Sequence, residues 1–303
     1  MKNLKNGVAV ITGGGSGLGK ALAHAAVSRG MKVVLADVQA KALEQTLEEL
    51  RALGAEAIGE VLDVTDATAV EALAERAETH FGPANLVFNN AGVASAGLIW
   101  ESTEKDWDWL LGVNVKGVAN GIRAFTPRML AAASADADYQ GCIINTASLA
   151  GVLTGPAMGV YSVSKHAVLA LSECLFHDLA LLTRQVQAAV LCPSYVATNI
   201  GQCYRVRPSQ WANSEGPTRS QMATAAISQN NLDSGSLTAD QVAETTFKAV
   251  EQGKFYIFPT DEVHGLLKHR FDRILESANP DLPYEQTPFL QDRRKRLIEA
   301  LAD

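Results

Sequence analysis

Short apolar runs alternate with longer amphipathic segments along most of the chain. The runs contain few polar residues, which is typical of strands in a parallel sheet covered by helices on both faces. They predict seven strands, at residues 8–12, 33–36, 57–62, 86–89, 142–145, 186–191 and 255–258. Helical spacing predicts helices at residues 18–29, 40–53, 67–81, 103–132, 159–182 and 239–252. This alternation predicts an α/β fold, with a doubly wound parallel sheet and right-handed crossovers.

Two segments interrupt the alternation. Residues 201–235 are polar, rich in Gly, Ser and Asn, and weakly periodic, so we expect either a substrate lid, over about residues 195–238, or a partly disordered segment. After Pro259 the pattern predicts a helix at 261–277 and a basic run at 293–296, which we interpret as a solvated helix end rather than a membrane or nucleic-acid contact. We expect one domain over residues 1–260, with residues 261–303 as a helical extension packed on it.

Composition narrows the class of protein. The 303 residues include 33 Asp and Glu against 26 Lys and Arg, a net charge of −7, which argues against binding nucleic acid or an anionic membrane by bulk charge. The four cysteines form no Cys-x-x-Cys pair, and no apolar run approaches the roughly 20 residues that span a bilayer. Because the short polar start leaves no room for a secretory leader, we expect a soluble, reduced, cytoplasmic protein.

A glycine-rich turn follows the first predicted strand and leads directly into a helix. It reads Thr12-Gly13-Gly14-Gly15-Ser16-Gly17-Leu18-Gly19. Glycine allows a sharp turn and leaves no Cβ between the backbone amides and a ligand. The start of the helix adds free N–H groups and a partial positive charge, which suit a pyrophosphate. A tight packing turn is the alternative, but the strand–turn–helix setting favours a dinucleotide site.

Asp37 supports the dinucleotide interpretation. It ends the second predicted strand, 18 residues after Gly19, where a carboxylate can accept hydrogen bonds from both hydroxyls of an adenosine ribose. The same charge would repel a 2′-phosphate, and the neighbours Ala36 and Val38 offer no cation. Although the residue could simply cap a turn, we expect NAD rather than NADP.

Four polar residues occupy positions that such a sheet brings to one edge. Tyr161 and Lys165 are four residues apart and share a face of a predicted helix. Ser148 ends the fifth predicted strand, at the edge where ligands bind. Asn114 lies in an apolar helical segment, where its amide needs a buried partner. Each alone is compatible with a structural role, but together they favour catalysis.

In their order along the chain, these motifs resemble the short-chain dehydrogenase/reductase family. The resemblance extends through about Phe258 and is carried by residues 12–19, 63–64, 89–92, 103–107, 114, 148, 161–165 and 193–198. It implies a Rossmann-like fold and an oxidoreductase that interconverts a secondary alcohol and a ketone. It also implies a homodimer or homotetramer, whose common dimer surface is formed by the helices bearing Asn114 and Tyr161.

The same resemblance implies roles for single residues. The expected catalytic tetrad is Asn114, Ser148, Tyr161 and Lys165. Asp63 and Val64 would contact the adenine. Asn90 would support the cofactor ribose, and Thr198 would support the nicotinamide carboxamide. The other residues expected beside the cofactor are Val38, Ala91, Gly92, Pro193 and Val196, together with Tyr161, Lys165 and the glycine turn.

Carbonyl reduction needs a proton donor at the substrate oxygen, and tyrosine, with a pKa of about 10, is a weak acid. Lowering that pKa to about 7 takes about 4 kcal/mol, which one ammonium about 4 Å away can supply at an effective dielectric constant of about 20. We therefore expect Lys165 to acidify Tyr161 and to donate to the nicotinamide ribose. Ser148 can hold the substrate oxygen. Asn114 can fix a water that relays protons to Lys165.

Substrate contacts are expected to be mostly apolar. The residues expected around the carbonyl are Val93, Leu149, Leu153, Met158 and Tyr195. We interpret Arg205, Arg207 and Arg219, in the expected lid, as solvated loop charges. The tail resembles a branch of the family that acts on bulky lipophilic alcohols, so we expect a small-molecule substrate with a bulky hydrophobic body.

Two other functions fit part of the pattern. A non-catalytic regulator that senses the redox state of a bound dinucleotide would explain the glycine turn and Asp37, but not the tetrad. A metal-dependent dehydrogenase would need a cluster of His and Cys, and the spacing of the six histidines predicts none.

Overall fold

Within the residues that the computed structural model describes (4–233, 237–261, 263–280, 294–299 and 302), seven strands form one sheet. The strands are β1 (Val8–Thr12), β2 (Lys32–Asp37), β3 (Ala57–Val61), β4 (Leu86–Asn89), β5 (Gly141–Thr146), β6 (Val186–Leu191) and β7 (Tyr256–Ile257). Their spatial order is β3-β2-β1-β4-β5-β6-β7, and every neighbouring pair is parallel. The predicted doubly wound, Rossmann-like α/β fold is confirmed.

Helices cover both faces of this sheet. They are α1 (Gly17–Ser28), α2 (Ala40–Ala52), α3 (Ala67–Phe81), α4 (Glu104–Leu111), α5 (Gly117–Ala135), α6 (Gly159–Leu182), α7 (Arg219–Asp233), α8 (Ala239–Glu251) and α9 (Val263–Leu275). Side chains of α1, α2 and α8 form one apolar core, and those of α3 to α6 form the other. None of the helices in the described ranges is both long and apolar enough to cross a membrane.

Alternation along the strands explains why they are so apolar. Val10 and Val34 point into one core, whereas Ile11 and Leu35, the next residue of each strand, point into the other. All four are fully buried. Because successive strand residues face opposite sides, a sheet covered on both faces requires apolar residues at consecutive positions.

The helix predicted over residues 103–132 is wrong as a single regular helix. It begins with a capping box, in which Thr103 and Asp106 each accept a hydrogen bond from the other's backbone N–H. A π-helical turn, Gly112–Lys116, then separates α4 from α5. The extra residue of a π turn changes the rotational position of the following helix, a change that hydrophobic spacing does not reveal.

The segment expected to form a lid, which we call the lid below, contains helical elements that the sequence pattern does not predict, and its closure over a substrate stays a prediction. Two short 3₁₀ segments, Asn199–Val206 and Ser209–Trp211, lead into α7. Several buried positions of α7 are polar, namely Ser220, Gln221, Thr224 and Asn231. The apolar stripe that marks an amphipathic helix is therefore weak in this segment.

The tail lies against the sheet domain through α9. Its Val263 is buried, and Arg270 Nη1 donates to the Val152 carbonyl over 2.8 Å. The last strand is shorter than predicted, and α9 starts two residues later and ends two residues earlier than predicted. Residues 294–299 are helical, with Leu297 buried against Ala157 and the lid helix. Arg293, the first residue of the basic run, lies outside the described residues.

Candidate active site

The glycine turn after β1 has a conformation that needs glycine. Gly13 and Gly17 have φ angles of +67° and +52°, in the left-handed region that a Cβ disfavours. A Cβ on Gly19 would lie only 2.0 Å from the Gly13 carbonyl oxygen. The first turn of α1 therefore packs directly on the backbone of the loop, and Ser16, Gly17 and Leu18 border the adjoining cavity.

Asp37 closes the other side of this turn. Its Oδ2 accepts from Gly15 N, and its Oδ1 accepts from Gln39 N, each over 2.9 Å. A carboxylate has about four acceptor sites, so two bonds to the protein leave capacity for a ligand. The carboxylate lines the cavity between two uncharged chain neighbours, Ala36 and Val38. This arrangement fits an unphosphorylated ribose better than one carrying a 2′-phosphate.

The end of β4 is tied to the end of β1. Thr12 Oγ1 accepts from the backbone N–H groups of Asn90 and Ala91, over 3.0 and 3.1 Å. Asn90 Nδ2 returns a bond to the Thr12 carbonyl over 3.0 Å. Thr146, at the end of β5, donates to Asn90 Oδ1. These bonds hold the carboxyl ends of three adjacent strands in one fixed arrangement.

Asn114 is fully buried in the π turn and holds the loop after β4. Its Oδ1 accepts from Val93 N over 2.8 Å, and its Nδ2 donates to the Val93 carbonyl and to Ser164 Oγ, each over 2.9 Å. A Cβ on Gly92 would lie 3.3 Å from Asn114 Oδ1 and 3.4 Å from Lys165 Nζ. The amide of Asn114 and the amine of Lys165 therefore both lie beside Gly92, but Asn114 does not line the cavity. A water-holding role for Asn114 stays a prediction.

Ser148, Tyr161 and Lys165 meet at the carboxyl end of β5. The Tyr161 hydroxyl is hydrogen-bonded to Ser148, whose Oγ also accepts from Ala150 N over 3.1 Å. Lys165 Nζ donates to the Thr146 carbonyl over 2.8 Å and lies 5.8 Å from the centroid of the Tyr161 ring. The phenol, the hydroxyl and the ammonium thus face one space.

Burial dominates the protonation of this pair. It raises the pKa of Tyr161 to about 12, against the opposing effect of the Ser148 hydrogen bond. It lowers the pKa of Lys165 to about 8. In the protein without cofactor, burial therefore outweighs the charge of Lys165, and the acidification of Tyr161 in the cofactor complex stays a prediction. Removing a phenolate and an ammonium from water costs more free energy than the hydrogen bonds and charges of this site recover.

One cavity of about 400 Å³ joins these features. Its walls include the glycine turn, Asp37, Asp63, the loop after β4, and the trio of Ser148, Tyr161 and Lys165. Most of the residues predicted from the sequence border it. Those that do not are Gly15, Gly19, Asn114 and Leu153. Leu153 was expected beside the substrate, but it packs in a separate apolar cluster with Leu267 of α9.

Several cavity residues were missed by sequence analysis. Trp109 of α4 looks like an ordinary core residue and is nearly fully buried, yet it lines the cavity. Cys203, in the lid, accepts from Ala94 N through Sγ and donates to the Ala94 carbonyl, over 3.3 and 3.1 Å. Tyr204 lies beside Trp109, with ring centroids 5.9 Å apart. Only the position of this segment in an expected lid could have drawn attention to it.

Arg207 is not the solvated loop charge expected from the sequence. Its Nη1 lies 2.7 Å from Asp106 Oδ1, and both side chains are less than a tenth exposed. The guanidinium carbon also lies over Trp109, 5.0 Å from the ring centroid. The lid is therefore anchored to the first turn of α4 by a buried ion pair.

Comparison with known proteins gives the same family as the sequence motifs. The sequence pattern of the family described as short chain dehydrogenase matches residues 7–207. The chain belongs to this family. A short-chain dehydrogenase from Burkholderia phymatum, solved in complex with NAD, is 45% identical, with a TM-score of 0.90, over 93% of this chain and 99% of that one.

Two curated relatives cover most of this short-chain dehydrogenase. The CLA biosynthesis dehydrogenase/reductase of Lactiplantibacillus plantarum is 32% identical over 93% of this chain and 98% of its own length. A C alpha-dehydrogenase of a Sphingobium species is 36% identical over 92% of this chain and 89% of its own. Among the described residues of this short-chain dehydrogenase, no group of three His, Cys, Asp or Glu could hold a metal ion.

Proposed function

We propose that the chain is an NAD(H)-dependent oxidoreductase that interconverts a secondary alcohol and a ketone with a bulky apolar body. One observation carries the proposal. A single cavity places Asp37 and the glycine turn at one end and Tyr161, Ser148 and Lys165 at the other. A dinucleotide held at the first end would extend towards the residues able to exchange a proton with a substrate.

The cofactor assignment rests on the fit of this chain's own residues. Asp37 keeps acceptor capacity for ribose hydroxyls, and the glycine turn leaves room for a diphosphate beside α1. Asp63 and Val64 line the cavity near the expected adenine, and Thr198 lies against Gly17. The Burkholderia phymatum relative in complex with NAD supports the same cofactor.

In the proposed reaction, each tetrad residue has a separate role. When bound, NAD(H) supplies the acceptor or donor of a hydride. Tyr161 donates its phenolic proton to the carbonyl oxygen during reduction and takes it back during oxidation. Ser148, already bonded to that phenol, orients the same oxygen. Lys165 favours the phenolate by its charge, and Asn114 fixes the loop that borders the reacting centre.

The substrate end of the cavity supports an apolar body. Val93, Ala94, Trp109, Val113 and Leu149 contribute to its walls. The names of the two curated relatives describe dehydrogenases, which supports oxidation of a hydroxyl group as one direction of the reaction. We also propose that the chain acts as a homodimer or homotetramer.

Replacing Tyr161 with Phe tests the function. The variant keeps the ring but cannot transfer the proton, so turnover should fall by about 10²–10⁴-fold, while NADH affinity, followed by fluorescence titration, should change little. Turnover is measured with a panel of secondary alcohols and ketones by the absorbance of NADH. Tyr256→Phe is the matched control, because Tyr256 is half exposed on β7 and bonded to Glu173.

The outcomes separate the two candidate functions. Near-normal turnover in Tyr161→Phe would remove the proposed proton donor. Tight NADH binding with no turnover of any panel member, in the wild type, would favour the dinucleotide-sensing regulator instead.

A further inference from the structure

Arg205 contributes a cation to the wall of the cavity. Within the described residues, four side chains with a formal charge line the cavity: Asp37, Asp63, Lys165 and Arg205. Asp37 ends β2 and Asp63 follows β3, at the end of the cavity that fits adenosine. Lys165 is buried and bonded to the Thr146 carbonyl. Arg205 is exposed and is the remaining charge.

The guanidinium of Arg205 can donate further hydrogen bonds. Its Nη1 donates to Gln202 Oε1 over 3.3 Å. No carboxylate in the described part of the chain forms an ion pair with it, whereas Arg207, two residues later, is paired with Asp106. A guanidinium carries five N–H donors in a planar fork that matches a carboxylate. Arg205 can therefore bind an anion without first giving up a partner charge.

The contacts on either side of Arg205 place it towards the substrate end. At the start of the 3₁₀ segment, Thr198 lies against Gly17 of the phosphate-binding turn. Further along, Cys203 bonds to Ala94 in the loop after β4. Tyr204 lies beside Trp109, and Arg207 is fixed to α4. Arg205 sits between these last anchors, at the opposite end of the segment from Thr198.

We propose that Arg205 binds an anionic group of the substrate, so that the chain selects an amphipathic hydroxy acid or oxo acid. In such a substrate, an apolar carbon skeleton separates the oxidised carbon from a carboxylate. This inference rests on the proposed function, because it assigns the substrate of the same site. The apolar walls formed by Trp109, Val113 and Val206 accommodate the skeleton, and the cation holds its charged end.

Paired substrates test the proposal. Secondary hydroxy carboxylic acids of graded chain length are compared with their methyl esters, which keep the skeleton and remove the charge. In the wild type, kcat/KM should be higher for the acid. Arg205→Gln should lower the acid-to-ester ratio of kcat/KM by about ten- to hundredfold, the range typical of a hydrogen bond to a charged group, and Arg205→Lys should recover part of it. Arg184→Gln, an exposed charge change before β6, should leave the ratio unchanged.

The ratio, the NADH affinity and a calorimetric titration together separate substrate binding by Arg205 from the other roles it could have. A ratio unchanged in Arg205→Gln would overturn the proposal. So would a weaker NADH affinity with an unchanged ratio, since Arg205 would then serve the cofactor diphosphate. If no alcohol is oxidised, calorimetric titration of the acid and the ester into the NAD-saturated protein still reports on Arg205. Preferential acid binding that Arg205→Gln abolishes would support the anion site while the proposed reaction fails, and equal binding of both would reject the site.

Discussion

Tyr161 and Lys165 show how a buried pair differs from the same pair in water. The sequence places them one helical turn apart, and the structure puts Lys165 Nζ 5.8 Å from the Tyr161 ring. Yet burial moves both pKa values towards the neutral forms, to about 12 for the phenol and about 8 for the amine. The protein by itself thus holds a protonated phenol beside an amine that titrates near neutral pH.

The shifted pKa of Lys165 makes stability depend on pH. The native amine loses its proton near pH 8, whereas the unfolded chain keeps it up to about pH 10.5. Between these values the unfolded state binds more protons, so this residue makes the free energy of unfolding rise with pH. Relative to Lys165→Met, the wild type should gain about 2 kcal/mol between pH 7.5 and pH 10. Urea unfolding at pH 7.5 and pH 10 measures the difference, and a pH-independent difference would contradict the buried amine.

Asp37 should set the choice of cofactor. Asp37→Ala removes the charge that would repel a 2′-phosphate and the acceptor for ribose hydroxyls. The ratio of kcat/KM for NAD over that for NADP should fall by at least about tenfold, which corresponds to the loss of one charge-assisted hydrogen bond. Asp66→Ala, an N-cap outside the cavity, is the control. An unchanged ratio would place Asp37 outside the cofactor site.

At the scale of elements, the lid depends on its anchor to α4. Burial alone would raise the pKa of Asp106, but hydrogen bonds from Thr103 and Arg207 and the charge of Arg207 together hold it below its usual value. The pair therefore stabilises the fold above the pKa of an unfolded aspartate, and this contribution is lost as the pH falls through the lower, native pKa.

Arg207→Met should remove that anchor. Leaving Asp106 buried without its cation should cost about 3 kcal/mol of stability at pH 7, and the loss should shrink on acidification below the pKa of Asp106. Because Tyr204 and Arg205 lie just before the anchor, KM should rise more than kcat falls. Arg128→Met is the control, since its pairs with Glu71 and Glu78 are more exposed and should contribute less than about 1 kcal/mol. Equal losses in the two variants would contradict a special role for the lid anchor.

Much of the fold and part of the candidate site could be predicted from the sequence. The strands follow from runs such as residues 186–191, because burial on both faces leaves few polar positions. The glycine turn and Asp37 were predictable because their geometry is local. The π turn and α7 were not, since they depend on the Asn114 bonds to Val93 and on buried polar residues such as Thr224. The contacts of Arg207 are equally non-local, because its partner lies about a hundred residues away.

For the whole molecule, one face of α6 should form the contact between subunits. Val163, Ala170 and Cys174 recur at helical spacing on this face and are exposed. Small apolar side chains allow two helices to approach closely. This is the helix that bears Tyr161, so subunit contact would brace the site from behind.

Ala170→Arg should therefore shift the protein towards monomers. A buried arginine pair on a two-fold contact adds like charges without partners. Sedimentation velocity at micromolar concentration should show a smaller species, whereas Ala52→Arg, on the exposed end of α2, should sediment as the wild type does. A monomeric wild type, or an Ala170→Arg variant of unchanged size, would contradict this contact surface.

The π turn also limits how the length of this region can vary. Each residue advances an ordinary helix by about 100°. Deleting one residue within Gly112–Lys116 would let a regular helix run through, turning Trp109 away from Tyr204 or Asn114 away from Val93. At least one of these two sets of contacts would be lost. Related chains that keep both the lid and the loop after β4 should therefore have the same number of residues between Trp109 and Asn114.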